Sequence, residues 1–254
     1  MSKKDIGLYA PTLANHLTWA RERAGLTAPA LDLRANVSVS LIRKLESGEK
    51  KNTSEQTLRS LASGLALTGA TQWRYLSDLN RMHIPKPWSK SEVAASLTAA
   101  EQEQLRELSG IAAAFLNERW DILGSTPRYE ELFPGIGTVG NVARWLFSDA
   151  GRRTVVDWED EAAQVAALMR GLMAHFDNPE WGRVLISELG DDADFDRLWR
   201  ERGVAYDRTA ESPIYVRTAS GPMKVVMQFR PVTERPDMVH LALAFPQPPV
   251  TTAA

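Results

Sequence analysis

The chain has 254 residues, enough for two domains with sizeable cores, and its 44% hydrophobic and 24% charged residues are typical of a globular protein. It contains no cysteine, which excludes disulfides, cysteine-ligated zinc and thiol catalysis. The start of the chain lacks the apolar core of a signal peptide, and no apolar run approaches the ~20 residues that span a bilayer. We therefore expect a cytoplasmic protein with no membrane segment.

The formal net charge of −2 is divided unevenly along the chain. Residues 1–84 carry 12 Lys/Arg and 7 Asp/Glu, a net of +5, whereas residues 85–254 carry 18 and 25, a net of −7. A basic region joined to an acidic one is typical of a DNA-binding domain whose neighbour stays off the phosphates. Small domains also vary in charge, so this asymmetry only supports DNA binding.

Residues 13–67 have the spacing of four short helices. Gly25 is placed to end the first helix, and Thr27 is a suitable N-cap for the second. The residues of this second helix that we expect to face inward are Ala30, Leu31 and Leu33. Asn36 tolerates a left-handed backbone and so predicts a tight turn, after which Ser38 caps a third helix. Its predicted inward residues are Leu41, Ile42 and Leu45.

A polar loop over 49–52 then leads to a fourth helix, capped by Thr53 or Ser54. This order of helix, tight turn and helix predicts a helix-turn-helix motif, which places its second helix in the DNA major groove. The segment 37–48, VSVSLIRKLESG, resembles the recognition helix of the XRE family of bacterial and phage regulators. An ordinary helical bundle would have to produce the turn, both caps and the LESG ending by chance, so we favour DNA binding.

By analogy with that family, the residues predicted to meet base edges are Ser38, Val39, Ser40, Arg43 and Lys44. Arg43 suits a bidentate contact with guanine and Val39 suits a thymine methyl, although a phosphate contact or a solvated face is the alternative for both basic residues. The predicted phosphate contacts are Lys50, Lys51 and Asn52 in the loop, with Thr27 and Ala28 at the second helix. Simple surface charge explains each of these nearly as well. Because one such helix reads few bases, we expect a homodimer on an inverted repeat.

The rest of the chain predicts an α+β domain. Prolines 85 and 87 break any helix that follows residues 72–79, and Thr98 with Glu101 has capping-box spacing. Two extended segments flank residues 117–118, and several short helices follow. In the tail, apolar residues recur at every second position, which predicts three antiparallel strands. The predicted fold class is thus α+β: an N-terminal all-α helix-turn-helix bundle, then a PAS-like α+β domain with an antiparallel sheet. We place the DNA-binding domain at 1–70, a helical linker at 71–110 and the second domain at 111–248.

Residues 113–246 resemble the C-terminal ligand-binding domain of MmyB-like transcription regulators. The matching pieces are AFLNERWDILGSTPRYEELFPG, NVARWLFSDAGRR, DWEDEAAQVAALMR and LISELGDDADFDRLWRERGV. The resemblance implies a PAS-like fold with a bound small apolar ligand, such as a fatty acid or another acyl compound, and no other cofactor.

The residues that we predict to line an apolar ligand pocket are Phe115, Met169, Met173, Met223, Met227 and Phe229. Taken singly, each is better explained as part of the domain core. Arg170 is placed to meet an acidic ligand head, but a structural salt bridge to Asp or Glu explains it better.

We predict no enzyme activity. The four histidines are far apart without metal-ligand spacing, so no metal site is expected, and no catalytic residue is assigned. The chain has no Walker loop, nucleophile elbow or dinucleotide-binding fingerprint. The prediction is a transcription regulator that binds double-stranded DNA and senses a ligand. The alternatives are a regulator whose second domain only dimerises or binds a protein, and an enzyme or metabolite-binding protein with a vestigial helix-turn-helix.

Overall fold

A computed structural model of the chain describes residues 10–81, 97–176, 180–208, 212–232 and 239–247. These residues form two compact units. The first contains the described residues of 1–87, 166–191 and 196–206, and the second contains those of 88–165, 192–195 and 207–254. The predicted break at prolines 85 and 87 lies outside the described residues. No helix among the described residues is long and apolar enough to cross a membrane.

The first unit begins with five helices: α1 Leu13–Arg23, α2 Ala28–Ala35, α3 Val39–Glu46, α4 Glu55–Gly64 and α5 Ala70–Asn80. One hydrophobic core joins all five, from Leu13 on α1 to Leu76 on α5. The predicted caps are confirmed, because the side chains of Thr27, Ser38 and Ser54 each accept a hydrogen bond from the backbone N–H three residues later. Such caps satisfy donors that the first helical turn leaves unpaired.

The turn between α2 and α3 has the predicted left-handed residue. Asn36 has φ 53° and ψ 45°, and its N–H donates to the Asp32 carbonyl. The expectation that Leu33 faces inward is wrong, because Leu33 is 88% exposed whereas Leu31 is 1% exposed. The helix is only eight residues long, and residues that are two positions apart on a helix, such as Leu31 and Leu33, lie on different faces.

The remaining helices are α6 Ala99–Glu107, α7 Pro127–Leu132, α8 Ile136–Val139, α9 Val142–Leu146, α10 Asp149–Thr154, α11 Trp158–His175, α12 Glu180–Leu189 and α13 Ala193–Arg200. The capping box of Thr98 and Glu101 is confirmed, and the side chains of Thr126 and Asn141 cap α7 and α9. Helices α8 and α10 were not predicted, since each is six residues or shorter and has little periodicity to detect.

The strands are β1 Ala112–Asn117, β2 Ile122–Ser125, β3 Ile214–Thr218, β4 Gly221–Pro231 and β5 Val239–Gln247. They form one antiparallel sheet in the order β2-β1-β5-β4-β3. The predicted α+β class with an antiparallel sheet is therefore confirmed. The sheet joins segments that are distant in sequence, because β1 pairs along its whole length with β5, the last strand.

Candidate functional site

Helix α3 presents a polar face to solvent while its apolar face anchors it. Ile42 and Leu45 are 2% and 0% exposed, so the helix cannot rotate without breaking the core. The exposure of the base-contact candidates is as follows: Ser38, Ser40, Arg43 and Lys44 are exposed and Val39 is half-buried. This is the arrangement that a helix needs in order to enter a major groove.

The two basic candidates of α3 differ in their surroundings. Lys44 Nζ lies 3.4 Å from Glu49 Oε1, and both side chains are more than half exposed. The Arg43 side chain has no hydrogen bond or ion pair within the described parts of the chain. The Arg43 guanidinium is therefore free to bind a base edge or a phosphate, whereas Lys44 must first leave a weak surface pair.

A compact turn presents the predicted phosphate contacts. Gly48 has φ 74°, a conformation that favours glycine, and the Lys50 N–H donates to the Lys44 carbonyl at 2.9 Å. Lys50 and Lys51 are exposed and Asn52 is half-buried. At the start of α2, Thr27 is exposed and Ala28 is half-buried. The turn therefore ties the basic loop to the end of α3.

A partly buried ion pair sets the position of α3. Arg21 on α1 binds Glu46 at the end of α3 with its Nε 2.6 Å from Oε1 and its Nη2 3.1 Å from Oε2, and both side chains are less than a fifth exposed. Arg21 also donates to the Leu26 carbonyl at 2.9 Å. The hydrogen bond to Glu46 raises the pKa of Arg21. The sequence predicted neither partner, since 25 residues separate them.

A second contact missed by the sequence holds the far end of the basic loop. The side chain of Asn80, the last residue of α5, makes two hydrogen bonds to the backbone of Thr53. Its Oδ1 accepts from the Thr53 N–H at 2.8 Å, and its Nδ2 donates to the Thr53 carbonyl at 2.9 Å. The loop 49–52 is thus fixed at both ends.

The sheet separates the predicted ligand residues by face. Strand pairing aligns Met227 with Ala244 and Ala244 with Ala112, which puts the three on one face. Phe115 pairs with Leu241 and so lies on the opposite face. The prediction that Phe115 lines the same pocket as the methionines of β4 is therefore wrong. Phe115 instead belongs to a core cluster with Leu97.

The β4 candidates also differ in burial. Met227 is 8% exposed and Met223 is half-buried, whereas Phe229 is 46% exposed. The prediction that Phe229 lines a pocket conflicts with this exposure. Phe229 still pairs with Ala242 of β5, but it lies beyond the part of β4 that pairs with β3.

The candidates on α11 belong to the first unit. Met169 and Met173 are 1% and 0% exposed. Met173 packs so tightly against Gly182 of α12 that a Cβ atom at position 182 would lie 2.9 Å from the Met173 side chain. The core explanation therefore accounts for Met173. Arg170 is 2% exposed, stacks on the Trp199 ring at 3.9 Å and donates to the Trp199 carbonyl.

Arg170 belongs to a buried polar cluster that joins α1 and α5 to α11 and the end of α13. The predicted salt bridge of Arg170 to Asp or Glu is absent from the described residues, and the Tyr75 hydroxyl is its side-chain partner. Burial raises the pKa of Tyr75 to about 12. Beside them, His16 is 2% exposed, with its ring 4.9 Å from that of Tyr75, and neither of its nitrogens has a hydrogen bond among the described residues.

A second polar group lies one turn further along α5. Asp78 is 3% exposed, and its Oδ2 accepts from the Tyr206 hydroxyl at 2.7 Å and lies 3.6 Å from His175 Nδ1. Burial alone would raise the pKa of Asp78, but His175, Tyr206 and Arg81 together bring it below its ordinary value. Asp78 is therefore a carboxylate held by partners from α11 and from the segment after α13.

No cluster of His, Asp or Glu with the arrangement of a metal site occurs among the described residues. One carboxyl group is nevertheless unusual. Glu118, in the turn between β1 and β2, is 5% exposed, and its Oε2 has no hydrogen bond in the described structure. Burial raises the pKa of Glu118 to about 7. We assign it no ligand.

Comparison with protein families places these features in a known class. A family model for a helix-turn-helix domain matches residues 12–72. A family model for the MmyB-like transcription regulator ligand binding domain matches residues 97–254, more than half of the chain. The chain belongs to the MmyB-like transcription regulators. A search of curated proteins gives no significant match.

This MmyB-like regulator is a DNA-binding protein with a ligand-binding domain. The helix-turn-helix match contains α1–α4 and the candidate DNA contacts, whereas the ligand-binding match contains the sheet and α6–α13. Most of α5 lies in neither match. The buried partners of α5, however, come from both sides, since Thr53 lies in one match and Tyr206 in the other.

Proposed function

We propose that this regulator binds an inverted-repeat operator as a homodimer of the XRE type and that its second domain senses a small, largely apolar ligand such as an acyl compound. The single observation that supports the DNA-binding part of this proposal is the exposed polar face of α3, where the Arg43 guanidinium has no partner among the described residues. In this proposal Ser38, Val39, Ser40, Arg43 and Lys44 face the bases. The loop residues and the start of α2 contact phosphates.

Fewer observations support the proposal that the second domain senses a ligand. Support comes from the ligand-binding family match and from the face of the sheet that carries Met223 and Met227, where Met227 pairs with Ala244. Methionine adapts to irregular apolar shapes, and Ala112 and Ala244 on the same face have short side chains. A ligand there would control DNA binding only through different affinities for the competent and incompetent states. A second domain that only dimerises is the alternative.

The DNA contacts are tested by two substitutions in the full chain. An operator is first obtained by selection from random duplexes, and binding is then titrated at several salt concentrations. Arg43→Ala is expected to cost ~1–3 kcal/mol on this operator and to relax specificity, because a base contact discriminates between sequences. Lys51→Ala is expected to weaken binding to all sequences alike and to reduce the salt slope by about one.

The exposed Arg34→Ala on α2 serves as the control, since it removes a positive charge outside the proposed contacts. If Arg43→Ala and Arg34→Ala weaken DNA binding equally, Arg43 contributes only its positive charge and makes no specific base contact. A wild-type protein that prefers no duplex over bulk DNA would reject sequence-specific binding and favour the class of metabolite-binding proteins with a vestigial helix-turn-helix.

A further inference from the structure

Helix α5 is the one described helix whose greater part lies outside both family matches, yet its last turn contacts residues of each. Asn80 binds the backbone of Thr53 at the end of the basic loop. Asp78, two residues earlier, binds Tyr206 and lies beside His175, both within the matched ligand-binding region. Two residues on one helical turn thus join the DNA side of the first unit to α11 and to the segment after α13.

The Asn80 contact is specific in geometry. A side-chain amide that accepts from the N–H and donates to the carbonyl of the same residue fixes the orientation of that residue as well as its distance. Thr53 immediately precedes Ser54, the N-cap of α4, and directly follows Lys50, Lys51 and Asn52. A displacement of the Asn80 side chain would therefore release the end of the loop that carries the phosphate-contact candidates.

The Asp78 contact is strong because it is buried. Asp78 is 3% exposed, so the loss of the Tyr206 hydroxyl would leave a carboxylate short of a hydrogen bond where water has little access. The Tyr206 ring is itself held on α5 by Arg74, whose guanidinium carbon lies 3.8 Å from the ring centroid. If the segment after α13 moves, the cheaper response is for the end of α5 to follow it.

We propose that α5 is the coupling helix of this regulator: Asp78 follows the position of Tyr206, and Asn80 passes that position to the loop of Lys50 and Lys51. This inference rests on the proposed function in so far as the loop contacts DNA phosphates. Asn80 is a positioning residue, since it acts on DNA only through Thr53. A ligand that shifts α11 or the segment after α13 would thereby change the number of phosphate contacts and leave the base-reading face of α3 intact.

Hydrogen exchange of the full chain tests the coupling without DNA or ligand. The reporter is the amide of Thr53, which donates to Asn80. Asn80→Ala is expected to accelerate its exchange roughly three- to tenfold, the factor that corresponds to one hydrogen bond of ordinary net strength. Tyr206→Phe, which removes only the hydroxyl that binds Asp78, is expected to accelerate exchange at Thr53 by a smaller factor. Asp78→Asn is a second probe of the same link.

Two controls match these variants. Thr71→Ala alters an exposed residue on the first turn of α5, and Tyr215→Phe removes a hydroxyl from a tyrosine that is 37% exposed on β3. Both should leave Thr53 exchange at the wild-type rate. If Tyr206→Phe and Asp78→Asn also leave it unchanged while Asn80→Ala accelerates it, α5 is a static support and the coupling is overturned.

DNA titration of the same variants separates this inference from the proposed function. Asn80→Ala and Tyr206→Phe should reduce the salt slope on the selected operator while the ratio of specific to non-specific affinity changes little. If Tyr206→Phe and Asp78→Asn accelerate exchange at Thr53 but the protein prefers no DNA sequence, the proposed function is refuted. The coupling through α5 is then still supported. A wild-type salt slope in both variants would overturn the link from α5 to the phosphates.

Discussion

His16 is an ionisable residue placed where its charged form is disfavoured. Burial, followed by the nearby charges of Arg202 and Arg170, lowers the pKa of His16 to about 3. The rings packed beside it belong to Trp19 and Tyr75. The folded chain therefore keeps this imidazole neutral at acidities where the unfolded chain protonates it.

This difference predicts an acid-sensitive contribution to stability. Because the folded pKa lies below the unfolded value of 6.5, the unfolded state binds the extra proton between pH 6.5 and 3. Stability is present above pH 6.5 and falls by up to about 1.4 kcal/mol per unit below it. Denaturant titrations of wild type and His16→Leu at pH 7.5, 6.5 and 5.5 measure this, since the carboxyl contributions cancel in the comparison. Parallel pH curves for the two proteins would contradict it.

At the level of single residues, the sequence predicted local features and missed distant partners. The caps of Thr27 and Ser38 were predictable because a cap depends on a backbone N–H three residues away. The pairing of Arg21 with Glu46 depends on how α1 crosses α3, which no local pattern contains. The exposure of Leu33 was mispredicted for the same reason, since inward direction on a short helix is set by its neighbours.

At the level of elements, the strands were predictable and their relative faces were not. The period of two along β4 correctly grouped Met223, Met227 and Phe229 on one face. Which residues of β1 share the face of Met227 depends on how β1 and β4 are each aligned with β5. The observed alignment puts Ala112 on the Met227 face and Phe115 on the opposite face. The core role of α11 residues in the first unit likewise depends on tertiary packing.

The sheet carries a prediction about ligand binding. Met227→Trp should fill any space above the alanines and abolish ligand binding, while folding and basal DNA binding persist. Native mass spectrometry and thermal-shift assays with long-chain fatty acids measure the effect, with Tyr215→Trp as a control at an exposed site. If the face is already solidly packed, the larger side chain should instead cost ~1–3 kcal/mol of stability. That loss, with no added mass and no shift in wild type, would favour a dimerisation module.

At the level of the whole molecule, we expect two chains on one operator. The positive charge is concentrated in residues 1–84, and one α3 helix covers too few bases to select a site in a genome. We predict a homodimer on an inverted repeat whose half-sites are about one helical turn, ~34 Å, apart. Sedimentation of the complex and footprinting of the selected duplex measure stoichiometry and spacing. A single chain on an asymmetric site would contradict the prediction.

The sharing of buried contacts between α5 and the helices after residue 166 affects how this regulator can be re-engineered. A chimera that keeps residues 97–254 and receives a foreign DNA-binding domain would leave Arg170 without the Tyr75 hydroxyl and Tyr206 without its carboxylate. A replacement that ends at residue 72, where the helix-turn-helix match ends, keeps Tyr75 and Asp78 with their partners but separates Asn80 from its own Thr53. A graft of this kind must therefore keep the native α5 together with the native basic loop and Thr53.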